Sequence, residues 1–188
     1  MPPAIPRNSR PGLRTDSPRL NVSPGSNNCS TGKTFSTALT RFSRGMDRFD
    51  REVFLSAFHS DAIIAAGAFV GGPVDLFNWA SALHEQGQVA THHNLLNHGC
   101  DIDGDTAHSE IYYLFVGRNR DESNWIAGGR YVDRLERRDG EWKIALRTNS
   151  IEWSGMVPTM DIPFADVSDI NLNGAPARSK ADPSIVGR

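Results

Sequence analysis

Residues 89–153 divide into four long strand-like segments, 89–102, 105–117, 125–138 and 141–153. Two of the breaks are Asp-Gly pairs, Asp103-Gly104 and Asp139-Gly140. Asp-Gly between alternating segments is a strong hairpin signal, because a type I′ turn needs positive φ at both central residues. Consecutive hairpins make an antiparallel meander, which must bury one face against other elements. In the last segment Trp142, Ile144 and Leu146 alternate with Lys143, Arg147 and Asn149 on the opposite face.

Helices precede the meander. Phe35, Leu39, Phe42 and Met46 recur at helical spacing and predict an amphipathic helix of about three turns. Asp50 suits the N-cap of a short second helix with Val53, Phe54 and Phe58 on its apolar side. Residues 62–70 form an apolar run of strand length that ends at Gly71-Gly72-Pro73. Pro73 then suits the first turn of a third helix over 74–85, closed by Gly87. This segregated order predicts an α+β fold rather than a βαβ alternation. The expected form is a long, curved, cone-shaped antiparallel sheet wrapped around about three N-terminal helices, enclosing an apolar cavity.

The flanks differ. Residues 1–33 hold six of the 11 prolines and five basic residues against one acid, so the remainder of a chain of net charge −2 carries −6. They predict a disordered, basic, Pro/Ser-rich extension, with no apolar segment for a secretory signal and too many prolines for an amphipathic transit peptide. Residues 34–157 are the expected domain, and 158–188 an irregular tail docked through Ile162 and Phe164. A pI near 6.3 gives no electrostatic reason to expect nucleic acid or an anionic membrane as partner. No apolar run reaches the ~18 residues of a transmembrane helix. Two cysteines, Cys29 and Cys100, are too few for a disulfide scaffold or a structural zinc site. A cytoplasmic protein is expected.

Several motifs carry nothing. Gly32-Lys33-Thr34 mimics the end of a P-loop, but Asn27 stands where the first glycine belongs and no strand precedes it. His92 and His93 face opposite sides of a strand, and six residues at about 3.3 Å each separate His92 from His98, so no metal is expected there. The sequons at Asn21 and Asn28 matter only in a secreted chain. Three residues remain. Asp47 ends the first helix, where the dipole opposes a carboxylate; it is a catalytic candidate or a solvated turn residue. His93 shares a face with Leu95 and Asn97, as a base or a satisfied core histidine. Arg147 shares one with Asn149 and Ile151, as an anion holder or half of a surface ion pair.

The segments 44–50 (RGMDRFD), 91–97 (THHNLLN), 104–107 (GDTA), 129–134 (GRYVDR) and 138–144 (RDGEWKI) resemble the SnoaL-like group of the nuclear transport factor 2-like superfamily. The likeness covers about residues 36–157 and is nearest to the hexachlorocyclohexane dehydrochlorinase, scytalone dehydratase and bile acid dehydratase group. It implies a catalytic role for Asp47, His93 and Arg147. His93 would take a proton from carbon, Asp47 would fix and stabilise its imidazole, and Arg147 would stabilise the departing anion or an enolate. Phe42, Asn97, Tyr113 and Tyr131 are the expected substrate-binding residues. Phe42 stands where relatives carry Tyr or Lys, so a leaving-group donor must come from elsewhere, with Tyr113 or Tyr131 as candidates. The resemblance implies a lyase, dehydratase or isomerase acting on a hydrophobic cyclic or aromatic small molecule, with no metal or organic cofactor, in a dimer or trimer. The alternatives are a non-catalytic ligand-binding module, such as the small subunit of a ring-hydroxylating oxygenase, and a polyketide-type cyclase.

Overall fold

The computed structural model describes residues 29–159, 174–179 and 181–184. Of the extension expected over residues 1–33, residues 1–28 lie outside the described residues, as do Ile162 and Phe164 in the expected tail, while residues 29–33 already belong to the first helix. Among the described residues three helices, α1 (Cys29–Asp47), α2 (Arg51–Leu55) and α3 (Pro73–Gly87), pack against six strands. The strands are β1 (Phe58–Ala66), β2 (Phe69–Gly71), β3 (Gln88–Asp103), β4 (Thr106–Asn119), β5 (Asn124–Arg138) and β6 (Glu141–Val157), in the sheet order β2-β1-β6-β5-β4-β3. The α+β expectation holds. Among the described residues no helix is long and apolar enough to cross a membrane.

Helix α1 buries Ala38, Leu39, Phe42 and Met46, one stripe of a 3.6-residue period. It turns sharply into α2, whose N-cap Asp50 accepts a hydrogen bond from the Val53 amide at 3.1 Å. The two helices touch backbone to backbone, because a Cβ added at Gly45 would lie 2.4 Å from the Phe54 nitrogen. Gly45→Ala is therefore expected to cost about 2–3 kcal/mol through overpacking, read as a lower urea midpoint at unchanged slope.

Four local expectations are corrected. Phe58, expected on the apolar side of the second helix, lies beyond its end at Leu55 and opens β1. The run 62–70 is not one strand: Gly67, at φ +60, breaks it into the β1/β2 hairpin. The first meander turn centres on Gly104-Asp105, since Asp103 pairs with Thr106, and Gly104 alone of the two has positive φ. Glycine in the first central position is the type II′ pattern rather than I′. The second turn, with Asp139 at φ +53 and Gly140 at φ +81, has the expected signs. Finally, Leu146 does not share a face with Trp142 and Ile144. Leu135 pairs with Ile144 but Arg134 with Leu146, so Ala145 is the extra residue of a β-bulge. Beyond it Leu146 is exposed and Arg147 buried. Strand β1 joins β6 in parallel, and every other neighbouring pair is antiparallel.

Candidate active site

Helix α1 ends at the concave face of the sheet and delivers Asp47 to β3. Asp47 Oδ1 lies 2.7 Å from His93 Nδ1, and its Oδ2 accepts the His93 backbone N–H at 2.9 Å. A carboxylate only accepts, so the imidazole carries its proton on Nδ1 and keeps a lone pair on Nε2. Burial pushes the Asp47 carboxyl up, but the His93 side chain, its charge, its backbone N–H and Thr91 together hold it below the usual range. Asp47 is thus an ionised partner despite sitting at a helix C-terminus.

A second bulge makes this pairing possible. Outward from the Asp103/Thr106 turn the register runs evenly to His98 opposite Ile111, then shifts so that Leu95 faces Tyr113. Without the shift His92, not His93, would turn inward. Instead His93 sits against Phe115 (centroids 4.9 Å) and Phe42 (5.8 Å), while His92 is exposed. The same shift corrects the expectation for Asn97, which is exposed and does not line the cavity. His98, inward of the bulge, bonds Ser109 at 2.8 Å. Among the described residues no group of three His, Cys, Asp or Glu side chains is placed to hold a metal ion.

His93 opens into a cavity of about 400 Å³ between α1, α3 and the sheet. Phe42, Tyr113 and Tyr131 line it, among mainly apolar neighbours such as Met46, Leu76 and Trp125. Tyr113 and Tyr131 stack at 4.4 Å, and burial pushes both phenols up, so both hydroxyls stay protonated. Arg147 also lines the wall, only 1% exposed. It is not in a surface pair. Its Nε and Nη2 bind both oxygens of buried Asp133 at 2.8 and 2.6 Å, and its plane lies 4.2 Å from the Phe42 ring and 4.3 Å from that of Tyr131. Among the described residues Nη1 is buried without a hydrogen-bond partner, as is Asn149 Oδ1, which also lines the wall. Phe42 covers the guanidinium and offers no proton to the cavity.

Sequence reading did not single out Asp133, His84, Gln88 or Arg178. Arg178 comes from the C-terminal segment and donates from Nη1 to the Gln88 carbonyl (2.8 Å) and from Nη2 to Thr91 Oγ1 (3.2 Å), over the Phe49 ring. His84, on α3, stacks on Phe115 and meets His93 edge-on at 5.9 Å. Burial first, then the charges of His93 and Arg178, push its pKa down from 6.5 to about 4, against the opposing effects of Gln88 and Asp47. Between those values the unfolded chain binds a proton that the folded chain does not, so stability rises with pH across the window. The shift corresponds to about 3 kcal/mol lost on going from pH 7 to pH 4. Urea titrations should show that slope, and His84→Phe should reduce it, leaving the contribution of His98, whose imidazole burial also pushes down.

A family model for a SnoaL-like domain matches residues 36–148. No curated protein matches the sequence. Among solved structures, a type 2 hexachlorocyclohexane dehydrochlorinase superposes with a TM-score of 0.65 at 16% identity, over 73% of this chain and 96% of that one. A scytalone dehydratase-like protein from Novosphingobium aromaticivorans gives 0.62 at 19%, over 71% and 91%. A Nostoc punctiforme protein of unknown function with a cystatin-like fold gives 0.56 at 22%, over 64% and 90%. At these identities the likeness is one of fold.

Proposed function

Because the chain belongs to the SnoaL-like family, we propose that it is a cofactor-independent lyase, dehydratase or isomerase acting on a hydrophobic cyclic or aromatic small molecule. The observation that carries this reading is the Asp47 and His93 pair, hydrogen-bonded at 2.7 Å and opening onto an apolar cavity of about 400 Å³. Nε2 of His93 removes a proton from carbon, while Nδ1–H stays on Asp47, which stabilises the imidazolium that forms. The C–H electron pair becomes the new double bond. A leaving group on the neighbouring carbon departs with its own bonding pair; in isomerisation the pair instead forms an enolate with a carbonyl, and the imidazolium returns its proton to a different carbon. Arg147 Nη1, having no hydrogen-bond partner among the described residues, stabilises the anion, and Phe42 keeps water from it. The Tyr113 and Tyr131 hydroxyls are the donors available to a departing hydroxide, since Phe42 has none to give.

The reading also takes the protein as a homo-oligomer joined through the outer sheet face, where Tyr112, Val132 and Leu146 are exposed. The function is tested by incubating the full chain in D₂O with cyclic compounds that carry a C–H beside a carbonyl or a leaving group. Compounds that raise the melting temperature should incorporate deuterium at that carbon or lose the leaving group, read by mass spectrometry. Binding without exchange or elimination across the panel would favour a ligand-binding module instead.

A further inference from the structure

We propose that His84 is a second ligand-contacting imidazole, an acceptor on the cavity wall that selects cyclic substrates bearing a hydroxyl group in addition to the oxygen held by Arg147. The proposal rests on the cavity being the substrate site, and it adds the polar pattern that a substrate must carry.

A chain of hydrogen bonds runs from the surface to the cavity. Asp121, a carboxylate, accepts from the Ser123 hydroxyl at 2.6 Å. Having given its proton away, Ser123 Oγ accepts from Asn119 Nδ2 at 3.0 Å. The other end of that amide, Oδ1, accepts from Gln88 Nε2 at 3.1 Å. Gln88 therefore turns its carbonyl oxygen to His84, 3.1 Å from Nδ1. An amide oxygen only accepts, so Nδ1 must hold the imidazole proton. Every bond in the chain has one possible direction, because the first acceptor has no proton to give.

The consequence lies at the other ring nitrogen. His84 Nε2 carries a lone pair and makes no hydrogen bond among the described residues, while the ring lines the cavity. Burial keeps the imidazole neutral at ordinary pH. It cannot serve as the acid, since its proton is committed to Gln88, and it duplicates nothing that His93 does. What it can do is receive a hydrogen bond. With Arg147 Nη1 as a donor that has no partner among the described residues, the walls ask for a ligand with one oxygen acceptor and an O–H. A ligand without that O–H leaves the lone pair desolvated and unpaired.

Acetophenone and its 2-, 3- and 4-hydroxy and methoxy derivatives form a matched probe set. At least one hydroxy isomer should bind the full chain about tenfold or more tightly than its methoxy counterpart, measured by calorimetry. His84→Phe, which keeps the stack on Phe115, should abolish the preference. If that variant does not fold, Gln88→Leu frees the tautomer and should weaken the preference. In ¹⁵N-labelled wild type, long-range NMR correlations should show His84 protonated on Nδ1, with the Nε2 signal moving on adding the preferred hydroxy isomer and not on adding acetophenone. A proton on Nε2, no hydroxyl preference in the wild type, or a preference undiminished in the variant would overturn the proposal. His93→Ala should retain the preference, so absence of turnover chemistry and absence of hydroxyl selection are separate results.

Discussion

His93→Ala should slow any proton abstraction catalysed by this chain by roughly a thousandfold while leaving it folded. The magnitude follows from the general base itself, which contributes on the order of 10²–10⁴. The fold should survive because His93 contributes a side chain at the cavity edge, while its backbone N–H, which also binds Asp47 at 2.9 Å, is untouched. The remaining cost is the Asp47 oxygen released at 2.7 Å, which Thr91 and cavity water can solvate. Asp47→Asn should lose most of the same rate for a different reason: an amide cannot stabilise the imidazolium as a carboxylate does. Because the two side chains work as one base, the double variant should be little slower than the worse single. Additive losses would mean that the residues act separately, and an undiminished rate in His93→Ala would remove this base from the mechanism. Steady-state rates on whichever compound first shows exchange supply the measurement, with circular dichroism as the control.

The architecture was legible because its signals are periodic and local. The α1 stripe from Leu39 to Met46, the Asp50 cap and the Asp139-Gly140 turn are each readable within a few residues, and all three stand in the structure. The roles of Asp47 and His93 were suggested by resemblance, not by spacing: 46 residues separate them. What periodicity misreads are the bulges, since one inserted residue exchanges the faces of everything beyond it. Alternation from His93 carries Asn97 inward, and alternation inward from the Asp103/Thr106 turn carries His92 inward. Both cannot hold on one regular strand, and the shift between Leu95 and His98 resolves the conflict. The His84 network lay beyond reach because its five members come from α3, β3, β4 and the following turn. Their hydrogen bonds exist only once β3 and β4 are in register.

Counting outward from the Asp139-Gly140 turn would likewise pair Asp133 with Leu146; the Ala145 bulge moves the register by one and sets Arg147 opposite Asp133. That places a full ion pair in the core, with Arg147 at 1% and Asp133 at 2% exposure, and makes Asp133→Ala the substitution with the largest expected effect on stability. Removing one partner of a buried pair strands the other charge, at a cost of about 3–5 kcal/mol, and here all but one of the guanidinium's hydrogen-bonding nitrogens would lose their acceptor. Arg147→Met should cost a similar amount by stranding the Asp133 carboxylate. Replacing both, as Asp133→Leu with Arg147→Met, should recover most of the stability, because two apolar side chains of comparable volume avoid the desolvation that the pair must offset. The same double variant should stay inactive, since the unpartnered Nη1 goes with the arginine. Chemical denaturation of the three variants and turnover of the double one separate the two roles: recovered stability with recovered activity would show that Arg147 is structural alone. Stability that does not recover would mean that the pair holds the bulge itself, and then β6 beyond Ala145 should lose its hydrogen-exchange protection first.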